Sequence, residues 1–246
     1  MSLPVHLVPS LEGVRVGDAV EVSGDEAHHA VAVRRLRVGE PVVLTDGLGT
    51  RVVGAVTETG KRLFEVVADS VESVPRPEPR VVVVQALPKG DRGELAVEML
   101  TEVGVDRIVP WAAARSVAVW KGERAAKSHA RWVSTAREAA KQSRRAWLPD
   151  VDPLAGTDSV AALLAEADVA LVLHEDGTGL LGDLSVPESG TIALVVGPEG
   201  GLEPEELETF EAAGAHVVRL GDEVLRTSTA GVAAVAALLA RTSRWA

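Results

Sequence analysis

Residues 74–80 read VPRPEPR, with Pro75, Pro77 and Pro79 at alternate positions. Proline fixes φ and carries no amide proton, so such a run neither continues a helix nor sits inside a sheet; it forms an extended, semi-rigid connector. The hydrophobic pattern differs on its two sides. Before it lie DAVEVSG, EPVVLTDG, TRVVGAVTET and RLFEVVADSVE, apolar at every second position and separated by the turns GLG (47–49) and ETGK (58–61). That period of two predicts strands, and their spacing predicts a small antiparallel β-barrel. After the connector, RVVVVQAL (80–87) carries a continuous β-branched run, Val81–Val84, of the kind that forms a strand buried on both faces.

From there strand and helix alternate. DRGELAVEMLTEVG predicts a helix with Asp91 as N-cap, Glu94 at the capping-box position and Gly104 as the stop. Strands follow at DRIVPW, VALVLH (169–174), TIALVVG (191–197) and HVVRL (216–220). Helices are expected over roughly 122–146, 159–167 and 204–213, and over the closing TSTAGVAAVAALLART, which Thr227, Ser228 or Thr229 can cap. The fold class expected is α/β, a parallel sheet covered on both sides. The boundaries expected are a barrel over 1–74, a linker over 75–79 and the α/β domain over 80–246.

Composition removes several kinds of chemistry. The chain has no cysteine, which excludes disulfides, thiolate nucleophiles and Cys-based zinc sites and agrees with a reducing cytoplasm. None of the six histidines stands at a metal-ligand spacing. No apolar run reaches the ~18 residues that a membrane-spanning helix requires, and the N-terminus lacks the features of a signal peptide. The net charge of −11 is unevenly spread. Residues 76–149 hold 14 Lys/Arg against 8 Asp/Glu, whereas residues 150–246 hold 4 against 17. Within that basic island, Arg124, Lys127, Arg131, Lys141 and Arg145 follow one helical face, a pattern suited to phosphates.

Gly177, Gly179 and Gly182 in DGTGLLG satisfy the dinucleotide fingerprint G-x-G-x-x-G. That fingerprint needs a helix opening at the third glycine, and DLSVPESG leaves no room for one. The stretch LVVGPEGGLEPEELE (194–208) is different. Gly197, Gly200 and Gly201 follow a buried strand and keep side chains away from a ligand. Glu199 sits inside the loop, and Glu203, Glu205 and Glu206 crowd the helix start, which favours a neutral or cationic ligand over a pyrophosphate. LGDEVLRTSTAG (220–231) has the same placement after the last strand. It carries Arg226, a candidate clamp for an anion or base, or else a partner for a neighbouring glutamate.

These segments resemble the RsmE family of 16S ribosomal RNA uridine-N3 methyltransferases. The resemblance rests on LVVGPEGGLEPEE, LGDEVLRTSTA, VQALPKGDRGELAVEMLTEVGVDRIVPW, AREAAKQSRRAWLPDV and HHAVAVRRLRVGEPVVLTDGLG, and covers nearly the whole chain. It implies a SPOUT-type α/β domain with a deep trefoil knot, a PUA-like N-terminal barrel, a homodimer and S-adenosylmethionine as methyl donor, without metal or membrane. It places the cofactor against Leu173, His174 and Glu175, against Gly197, Pro198, Glu199, Gly200 and Gly201, and against Leu220, Gly221, Val224, Leu225 and Arg226. It places 16S rRNA of the small subunit near Arg34, Arg35, Arg37, Lys89, Arg92, Gln142, Arg144 and Arg145. Many family members have Glu where this chain has Ser228, so no role of that glutamate carries over. Uracil N3 is nucleophilic only once its proton leaves, to a side chain or a water, and Arg226 is the residue expected to stabilise the resulting imide anion. A competing reading is an RNA-binding assembly factor on the same scaffold without turnover.

Overall fold

The computed structural model describes residues 3–245. It contains two compact units, one comprising the chain up to Arg76 together with Ala140–Leu148, the other Pro77–Ala139 with the chain from Pro149 onward.

In the first unit five strands form one curled sheet in the order β1-β3-β4-β5-β2. These are β1 (Val5–Leu7), β2 (Ala19–Ser23), β3 (Pro41–Thr45), β4 (Thr50–Thr59) and β5 (Leu63–Ser73). Four of them pair antiparallel as their alternation predicts, while β1 joins β3 in parallel. β1 and β2 are the two edges, so strand pairing leaves a half-barrel. The three apolar-alternating residues of β1, set between Pro4 and Pro9, are too short a run for pattern reading to find. Val42, Leu44, Val52, Val56, Phe64 and Val66 turn to the inside of the curl, where α1 (Gly24–His28) and the π-helical turn His29–Val33 contribute Ala27 and Ala30.

The GLG turn is glycine for a packing reason. A Cβ on Gly47 would lie 2.5 Å from a Leu148 methyl, and one on Gly49 would lie 2.5 Å from the Trp147 ring. Trp147 Nε1 donates to the Val74 carbonyl at 2.9 Å. Residues 140–148 are also held by charge. Glu26 on α1 accepts from Lys141 Nζ at 2.9 Å and faces His6 Nδ1 at 3.2 Å, with the Glu26 side chain only 11% exposed. Burial alone would raise the Glu26 pKa, but hydrogen bonds from His6 and Lys141 outweigh it and lower the value from 4.5 to about 2.

That shift has a definite sign. The folded carboxylate holds its proton more weakly than the unfolded one, so the stabilisation is complete above the unfolded value and is lost as pH falls through about 2. Its size is at most about 3 kcal/mol, and roughly 2 after solvent screening. Wild-type stability should therefore fall between pH 4.5 and 2 more steeply than that of a Glu26→Gln variant, as read by urea unfolding across that range. Parallel pH profiles for the two proteins would remove Glu26 from this role.

The second unit is a seven-stranded parallel sheet in the order β10-β12-β9-β11-β6-β7-β8. Its strands are β6 (Arg80–Ala86), β7 (Arg107–Trp111), β8 (Asp150–Val151), β9 (Val169–Leu173), β10 (Gly179–Leu180), β11 (Thr191–Val196) and β12 (His216–Arg219). Its helices are α2 (Arg92–Val103), α4 (Thr157–Ala165), α5 (Pro204–Ala212), α6 (Thr227–Leu239) and the part of α3 (Glu123–Gln142) up to Ala139. One sheet face packs Val81, Val83, Ile192 and Leu194 with Leu100 of α2, Trp132 of α3 and Val235 of α6. The other packs Val82, Val84, Val109 and Val195 with Leu164 of α4 and Phe210 of α5. Burial on both faces is why these strands read as continuous apolar runs.

Several helix ends differ from their expected form. α3 stops at Gln142, not near residue 146, because the chain turns at Arg144 (φ 58°) and Arg145 N–H returns to the Ala140 carbonyl at 2.9 Å. Gly104 ends α2 in the left-handed region, as expected. Asp91, however, makes no side-chain cap: its backbone (φ −82°, ψ 6°) lacks the extended geometry that aims a carboxylate at N3. Glu94 pairs with Arg131 at 3.2 Å instead of closing a capping box. The capping box is at α5, where Glu203 and Glu206 satisfy each other's backbone donors. Beyond α6, Arg244 is buried against Asp106, with Nη1 at 2.8 Å from Oδ2 and at 2.7 Å from the Pro79 carbonyl. Its Nη2 donates to the Gly104 carbonyl at 2.7 Å. No helix among the described residues is long and apolar enough to cross a membrane.

Candidate active site

Because all seven strands run the same way, the loops that leave their C-terminal ends share one edge of the sheet, the edge at which open α/β sheets bind ligands. Val196 is level with Gln85 on one side and Leu173 on the other, and Leu173 is level with Val218. The segments 173–175, 197–201 and 220–226, separate in sequence, are therefore neighbours. So is the segment containing Lys89 and Arg92.

Each loop is shaped by identifiable contacts. After β9, His174 N–H donates to the Val218 carbonyl at 3.0 Å, and its ring Nδ1 accepts from Asp176 N–H at 3.1 Å. Gly177 is the tightest point, since a Cβ there would lie 2.6 Å from the Val218 backbone carbon. This close approach to β12 is the structural use of the dinucleotide-like glycines; Gly182 opens no α-helix and lies in a single 3-10 turn over Leu181–Asp183. After β11, a Cβ on Gly197 would meet Leu202 Cδ1 at 2.7 Å, and Gly201 has a φ of 74°. A Cβ on Gly200 would lie 3.0 Å from Arg115 Cβ, so the glycines let Leu202 and Arg115 pack directly against the loop backbone.

The glutamates around this loop have protein partners. Glu203 forms a two-pronged pair with Arg115, at 2.7 and 3.2 Å, and Arg115 Nη1 also donates to the Gly200 carbonyl at 3.3 Å. Glu206 is buried and accepts from Ala114 N–H at 2.8 Å. Glu199 accepts from Lys89 N–H at 3.2 Å and lies 3.8 Å from Arg92. Much of the negative charge legible around G-P-E-G-G therefore organises the loop itself. Glu175 and Glu223 are among the acidic groups left open here, as are Asp176 and Glu205; all four are exposed and without an ion pair among the described residues. Arg115 escaped sequence reading because its partner is 88 residues away.

After β12, Arg219 pairs with Asp222 at 3.1 Å. Arg226 is exposed, with no side-chain hydrogen bond or ion pair among the described residues, and it is the N-cap residue of α6. Its guanidinium is thus not the partner of a neighbouring glutamate. None of Thr227, Ser228 and Thr229 caps the helix through its side chain. Thr227 is turned inward, where its hydroxyl donates to the Gly197 carbonyl at 2.7 Å and accepts from Gln85 Nε2 at 3.0 Å. Ser228 is buried at the second helical position. No cluster of three or more His, Asp or Glu side chains suited to a metal occurs among the described residues.

In the first unit, Arg34, Arg35 and Arg37 follow the π-helical turn and are exposed, with Arg35 at a φ of 58°. Gln142 and Arg144 are exposed, and Arg145 Nε donates to the Trp147 carbonyl at 3.0 Å. Of the five cations expected on one helical face, Arg145 lies beyond the end of α3, and Arg131 and Lys141 are engaged with carboxylates.

A parallel sheet with glycine loops at its ligand edge, preceded by a curled β-unit, matches two family models: an RNA methyltransferase domain over residues 75–239 and an RNA methyltransferase PUA domain over residues 15–69. The ribosomal RNA small subunit methyltransferase E of Mycobacterium tuberculosis is 46% identical over 93% of this chain and 89% of its own length. That of Bacillus subtilis is 29% identical over 88% of each. The crystal structure of the Neisseria gonorrhoeae enzyme of that name, bound to S-adenosyl methionine, superposes with a TM-score of 0.88 at 30% identity, covering 97% of this chain and 98% of that one. A putative methyltransferase from Legionella pneumophila, in complex with SAM, also reaches 0.88, at 27% identity over 98% and 99% of the two chains. The chain belongs to the RNA methyltransferase family, among the ribosomal RNA small subunit methyltransferases E.

Proposed function

We propose that this chain transfers a methyl group from S-adenosylmethionine to N3 of one uridine in the 16S rRNA of the small ribosomal subunit. It acts as a cytoplasmic homodimer whose α/β part carries the SPOUT-type knot. The observation that carries this reading is the convergence of segments 173–175, 197–201 and 220–226 on one sheet edge. S-adenosylmethionine supplies a methyl group on a cationic sulfonium. Leu173–Glu175 and Gly197–Gly201, with Leu220, Gly221, Val224, Leu225 and the backbone of Arg226, hold it along the loops, and the exposed carboxylates of Glu175 and Glu223 favour its positive charge. Arg226 faces the uracil, where its guanidinium stabilises the charge that develops on the carbonyl oxygens once N3 loses its proton. Arg34, Arg35, Arg37, Lys89, Arg92, Gln142, Arg144 and Arg145 contact the RNA, mainly through phosphates.

Mass spectrometry of nucleosides from 16S rRNA tests the assignment. A strain lacking the gene is expected to lose one N3-methyluridine, and the wild-type gene to restore it. An unchanged modification profile would favour the assembly-factor reading, and calorimetry with S-adenosylmethionine would then show whether the pocket binds its donor at all.

A further inference from the structure

Gln85 interrupts an otherwise apolar strand face. The same side of β6 carries Val81 and Val83, and Leu87 follows just past its end in the same core, yet Gln85 is itself 1% exposed. Its Nε2 donates to the Ala86 carbonyl at 3.1 Å and to Thr227 Oγ1 at 3.0 Å. Thr227 passes the connection on, giving its single hydroxyl proton to the Gly197 carbonyl at 2.7 Å. This fixes which way the amide faces. Both neighbours present lone pairs to Gln85, so its NH2 group matches them and its oxygen would not. The carbonyl oxygen is left as a buried acceptor with no partner among the described residues. Burial of such an acceptor is a penalty that a leucine of similar size would avoid. Stability of the fold therefore does not explain a glutamine at this position.

The chain of contacts does explain it. Gly197 opens the G-P-E-G-G loop, and Thr227 directly follows Arg226, so the Thr227 hydroxyl joins both walls of the proposed pocket, and the buried Gln85 amide, 142 residues away in sequence, fixes that hydroxyl. We infer that Gln85 is a positioning residue, which acts through Thr227 to hold the start of α6 and the 197–201 loop in the spacing that binds S-adenosylmethionine. This inference rests on the cofactor reading above.

The test combines calorimetric affinity for S-adenosylmethionine with melting of the ligand-free protein, in Gln85→Leu, Thr227→Val, Thr227→Ser and the Gln85→Leu/Thr227→Val double variant. Gln85→Leu should melt at or above the wild-type temperature while binding S-adenosylmethionine about tenfold more weakly, a factor commensurate with one hydrogen bond. Thr227→Val should weaken binding similarly, Thr227→Ser should stay within about twofold of wild type, and the double variant should be no worse than Thr227→Val alone. A lower melting temperature of Gln85→Leu with unchanged affinity would make the amide merely structural and overturn the inference. So would losses that multiply in the double variant. Absence of binding by the unsubstituted protein would overturn the cofactor reading and this inference with it.

Discussion

Alanine in place of Arg226 is expected to slow methyl transfer about 10²–10³-fold, the loss typical of removing one charge-stabilising donor from a reaction centre. The expectation rests on where the side chain stands. Arg226 is exposed at the ligand edge, lies just ahead of the α6 N-terminus, and makes no ion pair among the described residues, whereas Arg219 nearby is matched to Asp222. A guanidinium in that state is available to an external partner, and the partial positive charge of the helix start acts in the same sense. The proposed contact of this residue with the donor is through its backbone, so affinity for S-adenosylmethionine should change far less than the rate. Arg226→Lys keeps the charge without the planar fork and should fall between the two. Single-turnover assays on small subunits that lack the modification separate binding from chemistry. Wild-type rates in Arg226→Ala, with cofactor and RNA binding intact, would mean that another group carries the charge.

The largest effect on stability is expected from Arg244→Ala. Arg244 and Asp106 form a buried pair, with side chains 9% and 3% exposed, and Asp106 Oδ2 also accepts from Val81 N–H at 2.8 Å. Removing the guanidinium leaves a buried carboxylate without its counter-charge, and the Pro79 and Gly104 carbonyls lose a donor. Breaking a pair of this kind costs about 3–5 kcal/mol, which in a domain of this size lowers the melting temperature by on the order of 10 °C. The Asp106→Asn/Arg244→Ala double variant should recover part of the loss, because no uncompensated charge remains. A melt within about 2 °C of wild type would show the C-terminal residues to be peripheral to the fold.

Most of the fold was legible because burial imposes a period. The continuous runs at 80–87 and 191–197 could only be strands covered on both faces, and the order of strand and helix implied a parallel sheet. What escaped was short or locally ambiguous. β1 and β8 are three and two residues long, and the turn at Arg144 that ends α3 has a left-handed conformation without a glycine to announce it. The loops at the ligand edge were legible for a related reason: topology fixes the edge, and glycine marks where backbone must stay bare. Their internal contacts were not. The pairs Arg115–Glu203 and Gln85–Thr227 join residues 88 and 142 apart, and no local pattern encodes a partner at that distance. Gln85 in particular looked like one more position of a strand.

The sheet order also governs how the newborn chain comes together. β6 is the first strand of its unit to be made, yet it lies deep in the sheet, and on one side its Val81 pairs with Ile192 of β11. β7 can cover one edge of β6 early, but the edge that faces β11 stays open until residues 191–196 are made, and such waiting is when exposed β-branched runs meet wrong partners. The half-barrel is delayed too, since Trp147 and Leu148 fill its GLG turn. Contacts of such long sequence separation make folding slow, and neither unit can close until its distant partner segments are available.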